Sequence, residues 1–113
     1  KYGSPVKWGK YDEEVADEAL LHNLSHGGIG IHYDCETECN DLISKLDNLR
    51  TKDDTQIVLS PYSGMKSKIA LTSWRHIQFL DEFNEDAINE FIKAYRDRAP
   101  ESWIGNYWGD AIQ

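Results

Sequence analysis

The chain has 113 residues, 40% of them hydrophobic and 12% aromatic, which is one domain's worth of material and enough for a single core. Its net charge of −8 argues against nucleic acid or an anionic membrane surface as partner. No run approaches the ~18 consecutive apolar residues of a transmembrane helix, and the start at Lys1 rather than Met reads as a processed or truncated chain, so the lack of a leader is uninformative.

Residues 1–11 carry Gly3, Pro5 and Gly9 among aromatics and read as an extended arm. Asp12 is an expected N-cap, followed by Glu13 and Glu14 where a helix dipole favours acids. Val15, Ala19, Leu20 and Leu24 keep helical spacing, and Gly27 suits the residue just past the helix end. Residues 28–33 alternate, with Ile29, Ile31 and Tyr33 facing one way and Gly30 and His32 the other, as in a short strand. Asp34 is placed to cap a second helix whose apolar stripe is Cys35, Cys39, Leu42, Ile43, Leu46 and Leu49.

Residues 56–62 read as a buried strand, 63–67 as a loop, and 68–74 as another strand that 76–80 continues or restarts. Asn84 caps a last helix bearing Ala87, Ile88, Phe91, Ile92 and Tyr95, and Pro100 stops it. The expected architecture is α+β, a small, largely antiparallel sheet with two or three helices packed on it. The expected layout is an arm (1–11), a single domain (12–101) and an aromatic tail (102–113).

Three of the four histidines fall within Leu21-His22-Asn23-Leu24-Ser25-His26-Gly27-Gly28-Ile29-Gly30-Ile31-His32. His22 and His26, four apart, share a helix face with Cβ atoms ~5–6 Å apart, a usual spacing for two metal ligands. A hydrolytic H-E-x-x-H zinc site needs glutamate after the first histidine, and here that position is Asn23. Metal hydrolysis is disfavoured while metal binding is not. The plainer alternative is that the helix dipole stabilises His26 and that His22 hydrogen-bonds locally. Met65, in a turn-like loop, adds a thioether, and a thioether beside two imidazoles suits Cu(I). His32 is a weaker fourth candidate, since Gly30 leaves bare the side it faces; against it stands a cross-strand histidine on a solvated face. His76 has no partner in sequence and reads as structural.

Cys35 and Cys39 admit three readings: a copper-binding pair at a helix start, a disulfide across the first helical turn, or inert structural thiols. A disulfide or structural thiols are favoured over a metal pair. No phosphate loop, nucleophile elbow or Ser/His/Asp set is present, so no enzyme is expected.

The segments Trp8-Gly9-Lys10-Tyr11-Asp12-Glu13, Leu21-His22-Asn23-Leu24-Ser25-His26-Gly27-Gly28 and His32-Tyr33-Asp34-Cys35 resemble a bacterial family known as domain of unknown function 3105. Ala70-Leu71-Thr72-Ser73-Trp74 and the closing helix through Tyr95-Arg96 resemble it too, over about residues 5–101. The resemblance implies an extracytoplasmic domain behind a signal or membrane anchor, in the periplasm or at the cell surface, and supplies no reaction. Two departures stand out: Ser25 where the family carries a glutamate able to orient an imidazole, and a start at Lys1 that comes too late to show the Pro/Ser/Gly/His segment, and any further ligand in it, that family members carry upstream of the arm. Together these observations lead to a small extracytoplasmic metal-binding domain, for copper first and zinc second. The competing expectation is a metal-free structural or interaction module whose tail, with Trp103, Tyr107 and Trp108, docks a neighbouring protein or a second copy.

Overall fold

A computed structural model describes residues 5–35, 39–52 and 56–99. The elements run β1 (Gly9–Lys10), α1 (Asp17–Ser25), β2 (Ile29–Tyr33), α2 (Asn40–Lys52), β3 (Ile57–Pro61), β4 (Ile69–Ser73), β5 (His76–Leu80) and α3 (Glu85–Tyr95). The fold is α+β. Its five-stranded sheet has the order β1-β3-β2-β4-β5 and is mixed: β3 runs parallel to both β1 and β2, while β4 is antiparallel to β2 and β5.

The strand alternation sorts the core. Ile29, Ile31 and Tyr33 of β2, Ile57 and Leu59 of β3 and Ile69 and Leu71 of β4 pack against Leu46 and Leu49 of α2 and Ile88, Phe91 and Ile92 of α3. The opposite face buries Val58 with Val15 and Leu20, against Val6, Trp8, Tyr11 and Ala19 of the arm and α1. The arm is thus part of the fold, and its residues Gly9 and Lys10 form the outer strand beside β3.

Two helix starts differ from the sequence expectation. α1 begins at Asp17 rather than after Asp12, with Ala16 at the N-cap position and no side-chain cap. The acids before it are spent elsewhere: Asp12 pairs with Lys10 at 2.7 Å, and Glu14 accepts hydrogen bonds from the backbone and hydroxyl of Ser63. α2 begins at Asn40, where the Cys39 carbonyl accepts from Ile43 N at 3.0 Å. Asp34 instead accepts the backbone N–H of Met65 at 2.9 Å. Asn84 does cap α3, its Oδ1 accepting from Ala87 N at 3.0 Å.

The end of α1 is a Schellman closure. Gly27, at φ +89°, donates to Leu24 O at 3.0 Å, and Gly28 donates to Asn23 O at 3.2 Å. The Trp8 ring lies so close over Gly28 that a Cβ there would meet Cζ3 at 2.6 Å, so only glycine fits. Asn23, fully buried, grips the arm with both ends of its amide: Val6 N donates to Oδ1 at 2.8 Å and Nδ2 donates to Val6 O at 2.7 Å. Asn23→Ala would strand both Val6 groups, and urea titration should show a loss of about 2 kcal/mol, with the Val6 amide losing its protection from hydrogen exchange. A variant as stable as the parent, with Val6 still protected, would show that the amide does not hold the arm.

Candidate functional site

The structure brings the four candidate ligands together as two pairs. His22 and His26 lie on successive turns at the end of α1 with ring centroids 4.9 Å apart and planes 20° apart. His22 is half-buried and His26 is 1% exposed. Ser25 lies between them in sequence and donates its hydroxyl to His22 O at 2.6 Å. Among the described residues, no group of three or more His, Cys, Asp or Glu side chains is arranged to hold a metal ion.

His32 and Met65 line a different feature, a cleft of ≈ 370 Å³ on the second face of the sheet. His32 is 2% exposed, not on a solvated face. The space that Gly30 leaves is taken by the Thr72 hydroxyl and the His32 ring: a Cβ at Gly30 would clash first with Thr72 Oγ1 and then with His32 Nε2 at 2.5 Å. The ring bridges two neighbouring strands, with Nδ1 3.1 Å from the Ser60 hydroxyl and Nε2 3.0 Å from Thr72 Oγ1. A neutral imidazole donates from one nitrogen and accepts at the other, and hydroxyls can match either role. Both nitrogens are therefore engaged, and neither offers a lone pair to the cleft.

Burial pushes the His32 pKa from 6.5 down to about 4, against smaller opposing effects from its Ser60 bond and the Asp17 charge. The edge of the His32 ring also meets Tyr62, with centroids 5.9 Å apart. Tyr62 donates its hydroxyl to Asp17 Oδ1 at 2.9 Å, which holds the loop after β3 against the start of α1. Glu14, Asp17 and Asp34 thus pin Ser63, Tyr62 and Met65 respectively. These three acids have defined partners that composition could not reveal.

Cys35 and Cys39 form a disulfide, with Cα atoms 6.2 Å apart. That separation lies within the usual range for a disulfide, and Cys39 immediately precedes α2. His76 stacks on Tyr95 with centroids 4.0 Å apart, the structural role expected of it. Trp103, Tyr107 and Trp108 lie outside the described residues.

Residues that the sequence reading missed lie along β5. Ile77 and Phe79 are 59% and 46% exposed at the rim of the cleft, on the face where α1 and the arm cover the other end of the sheet. The alternation His76-Ile77-Gln78-Phe79-Leu80 was the available signal, since it puts Ile77 and Phe79 on one face.

The fold and its junction define a small α+β domain in which a helix, a Gly-Gly turn and a parallel strand pair hold an N-terminal arm. The chain belongs to the protein family of unknown function DUF3105, whose model matches residues 2–105. No curated protein and no solved structure matches it. The match runs slightly beyond both ends of the resemblance seen in the sequence and takes in Trp103.

The His32 geometry sets a pH dependence. The unfolded chain takes up a proton at His32 from about pH 6.5, whereas the folded protein takes it up only near pH 4. Between these values the unfolded state binds more protons, so stability falls as pH falls. The loss at His32 should total about 3 kcal/mol by pH 4 and then level off. Urea titrations at pH 7, 5.5 and 4.5 on the parent and on His32→Gln should give a steeper decline in the parent. Parallel declines would show that His32 is not held neutral.

Proposed function

We propose that this is an extracytoplasmic metal-binding domain without catalytic turnover, taking copper in preference to zinc, with His22 and His26 as protein ligands. The observation that carries this reading is the adjacency of the two imidazoles, 4.9 Å apart on one helix face. An ion bound through ring nitrogens lies near the plane of each ring. Stacked planes 20° apart do not meet close to the rings, so binding requires one side chain to turn. His22, half-buried, is the one with room to do so. Further coordination falls to solvent or to groups outside the described residues, because Met65 and His32 line the separate cleft.

Hydrolytic chemistry finds no support here. Asn23 stands where a zinc hydrolase carries its general base, and its amide is committed to Val6. The Cys35–Cys39 disulfide points to an oxidising, extracytoplasmic compartment. No helix among the described residues is long and apolar enough to cross a membrane, and a periplasmic or surface-anchored setting fits both observations.

Calorimetric titration of the oxidised chain with Cu(II) and Zn(II), and with Cu(I) by a competing chelator, tests the reading. Copper should bind with a dissociation constant below about 1 µM, equivalent to more than ~8 kcal/mol. His22→Ala should weaken it at least tenfold while leaving far-UV circular dichroism unchanged. Affinity of micromolar or weaker, or equal affinity in the variant, overturns the assignment. A second reading, a metal-free interaction module, is favoured by one specific observation: the exposure of Ile77 and Phe79 beside the cleft.

A further inference from the structure

The two outer strands of the sheet are unlike. β1 has two residues, whereas β5 has five, and its ladder with β4 runs unbroken from Ser73–His76 to Ile69–Leu80. Among the described residues no strand lies on the other side of β5. Its sequence His-Ile-Gln-Phe-Leu carries no lysine, proline or bulge, the features that usually blunt an edge. His76, Ile77, Gln78 and Phe79 are all exposed.

The turn before β5 decides which backbone groups face outward. Trp74 and Arg75 form a two-residue turn, with Arg75 at φ +71°, between the paired Ser73 and His76. The pair that closes such a turn is hydrogen-bonded, and bonded and non-bonded pairs alternate from there along an antiparallel ladder. Gln78 and Leu80 therefore direct their N–H and C=O groups at β4, while Ile77 and Phe79 direct theirs away from the sheet. The Ile77 and Phe79 side chains stand together on the second face, at the rim of the cleft.

We propose that β5 pairs antiparallel with β5 of a second copy of this chain, about a two-fold axis at Gln78, joining the two five-stranded sheets into one. In this register Ile77 lies opposite Phe79 of the second copy, and Phe79 opposite its Ile77. Both pairs bring together outward-facing backbone groups, so each exchanges both of its hydrogen bonds. Residues directly opposite share a face, so the apolar side chains of the two copies form one strip on the second face, beside both clefts. The proposal gives the interaction reading a partner and is independent of copper, since His22 and His26 lie at the end of α1.

The charges flanking β5 select this partner and this register. Arg75 precedes the strand and Asp81 follows it, and both are exposed. Pairing about Gln78 brings Arg75 of each copy opposite Asp81 of the other. The two Asp81 carboxylates stay six residues apart along the ladder, roughly 20 Å at standard strand rise, beyond the ~8 Å screening length at physiological salt. A shift of two residues in either direction puts Asp81 opposite Ser73 or Ile77 instead and loses both charge contacts. An unrelated extended segment carries no such built-in match. The strip is smaller than the ~800 Å² per partner of a standard interface, and each copy carries a net charge of −8. The dimer is accordingly weak, with a dissociation constant on the order of 0.1 mM.

Sedimentation equilibrium of the full chain from about 10 µM to about 1 mM at physiological salt tests the pairing, with ¹⁵N amide spectra over the same range. The mass should rise toward that of two copies, and the Ile77 and Phe79 amides should shift with concentration. Asp81→Arg sets guanidinium against guanidinium at both ends of the paired strands and should weaken the dimer at least tenfold. Arg75→Asp sets carboxylate against carboxylate with the same effect, and aspartate is among the residues that accept a positive φ. Combining Arg75→Asp with Asp81→Arg restores opposite charges and should return the dissociation constant to within about threefold of the parent. A chain that stays monomeric at about 1 mM overturns the proposal and leaves the copper assignment untouched. A dimer whose affinity ignores the single substitutions, or is not rescued by the combined one, overturns it too. A mass that climbs beyond two copies overturns the two-fold pairing while sparing the interaction reading.

Discussion

The junction between α1 and β2 is the constraint on which the rest of the molecule depends. Within three residues, His26 to Gly28, the chain must end a helix on one face of the sheet and enter a strand inside it. Gly27 supplies the left-handed turn, and Gly28 leaves room for the Trp8 ring. Asn23, one turn earlier, holds Val6 by two hydrogen bonds, so the arm is fixed by the same turn that ends the helix. The arm in turn supplies β1 and the apolar residues that cover Val58. Loss of this turn would therefore loosen the outer strand and one layer of the core together.

Gln56 extends the same junction to the other side of the sheet. It sits at φ +60°, a conformation that costs a residue with a side chain on the order of 1 kcal/mol or more. Its amide donates to His26 O at 3.2 Å and to Asp97 Oδ1 at 3.1 Å, and its carbonyl accepts from Ile29 N at 2.8 Å. One residue thus ties the end of α1, the start of β2 and the exit of α3. The net gain from each hydrogen bond is about 1 kcal/mol, so three of them outweigh the backbone strain. Fixing Asp97 also fixes the point from which the C-terminal segment departs.

What the sequence made legible follows the range of the interactions involved. The alternation at Ile29, Ile31 and Tyr33 and the Asn84 cap are local signals, and both appear in the structure as read. The parallel pairing of β3 with β1 and β2 joins segments far apart in the chain and leaves no mark on either one. The acidic run before α1 illustrates the same difficulty. A carboxylate there can serve a helix start or a distant loop, and Glu14 serves Ser63, 49 residues away. His32 was legible as facing Gly30, but its burial was not, because Ser60 and Thr72 come from other strands. The His22/His26 adjacency was legible since one helix turn makes it; their relative tilt and the burial of His26 were not.

The two halves of the second sheet face solve one problem differently. On the β3 side the arm and α1 bury Val58 almost completely. On the β5 side Ile77 and Phe79 are left open beside a cleft whose deepest polar group, His32, is already satisfied by hydroxyls. Being satisfied and neutral, His32 adds neither charge nor a free nitrogen to attract a polar ligand. The rest of the lining is largely apolar, from Leu20, Met65, Ala70, Ile77 and Phe79, with Asp17 and Lys66 as its charged groups. The histidine pair at the end of α1 has the opposite character, polar and small, with one partially accessible ring. The domain therefore presents two surfaces of different chemistry, the histidine pair at the end of α1 and the largely apolar cleft beside β5.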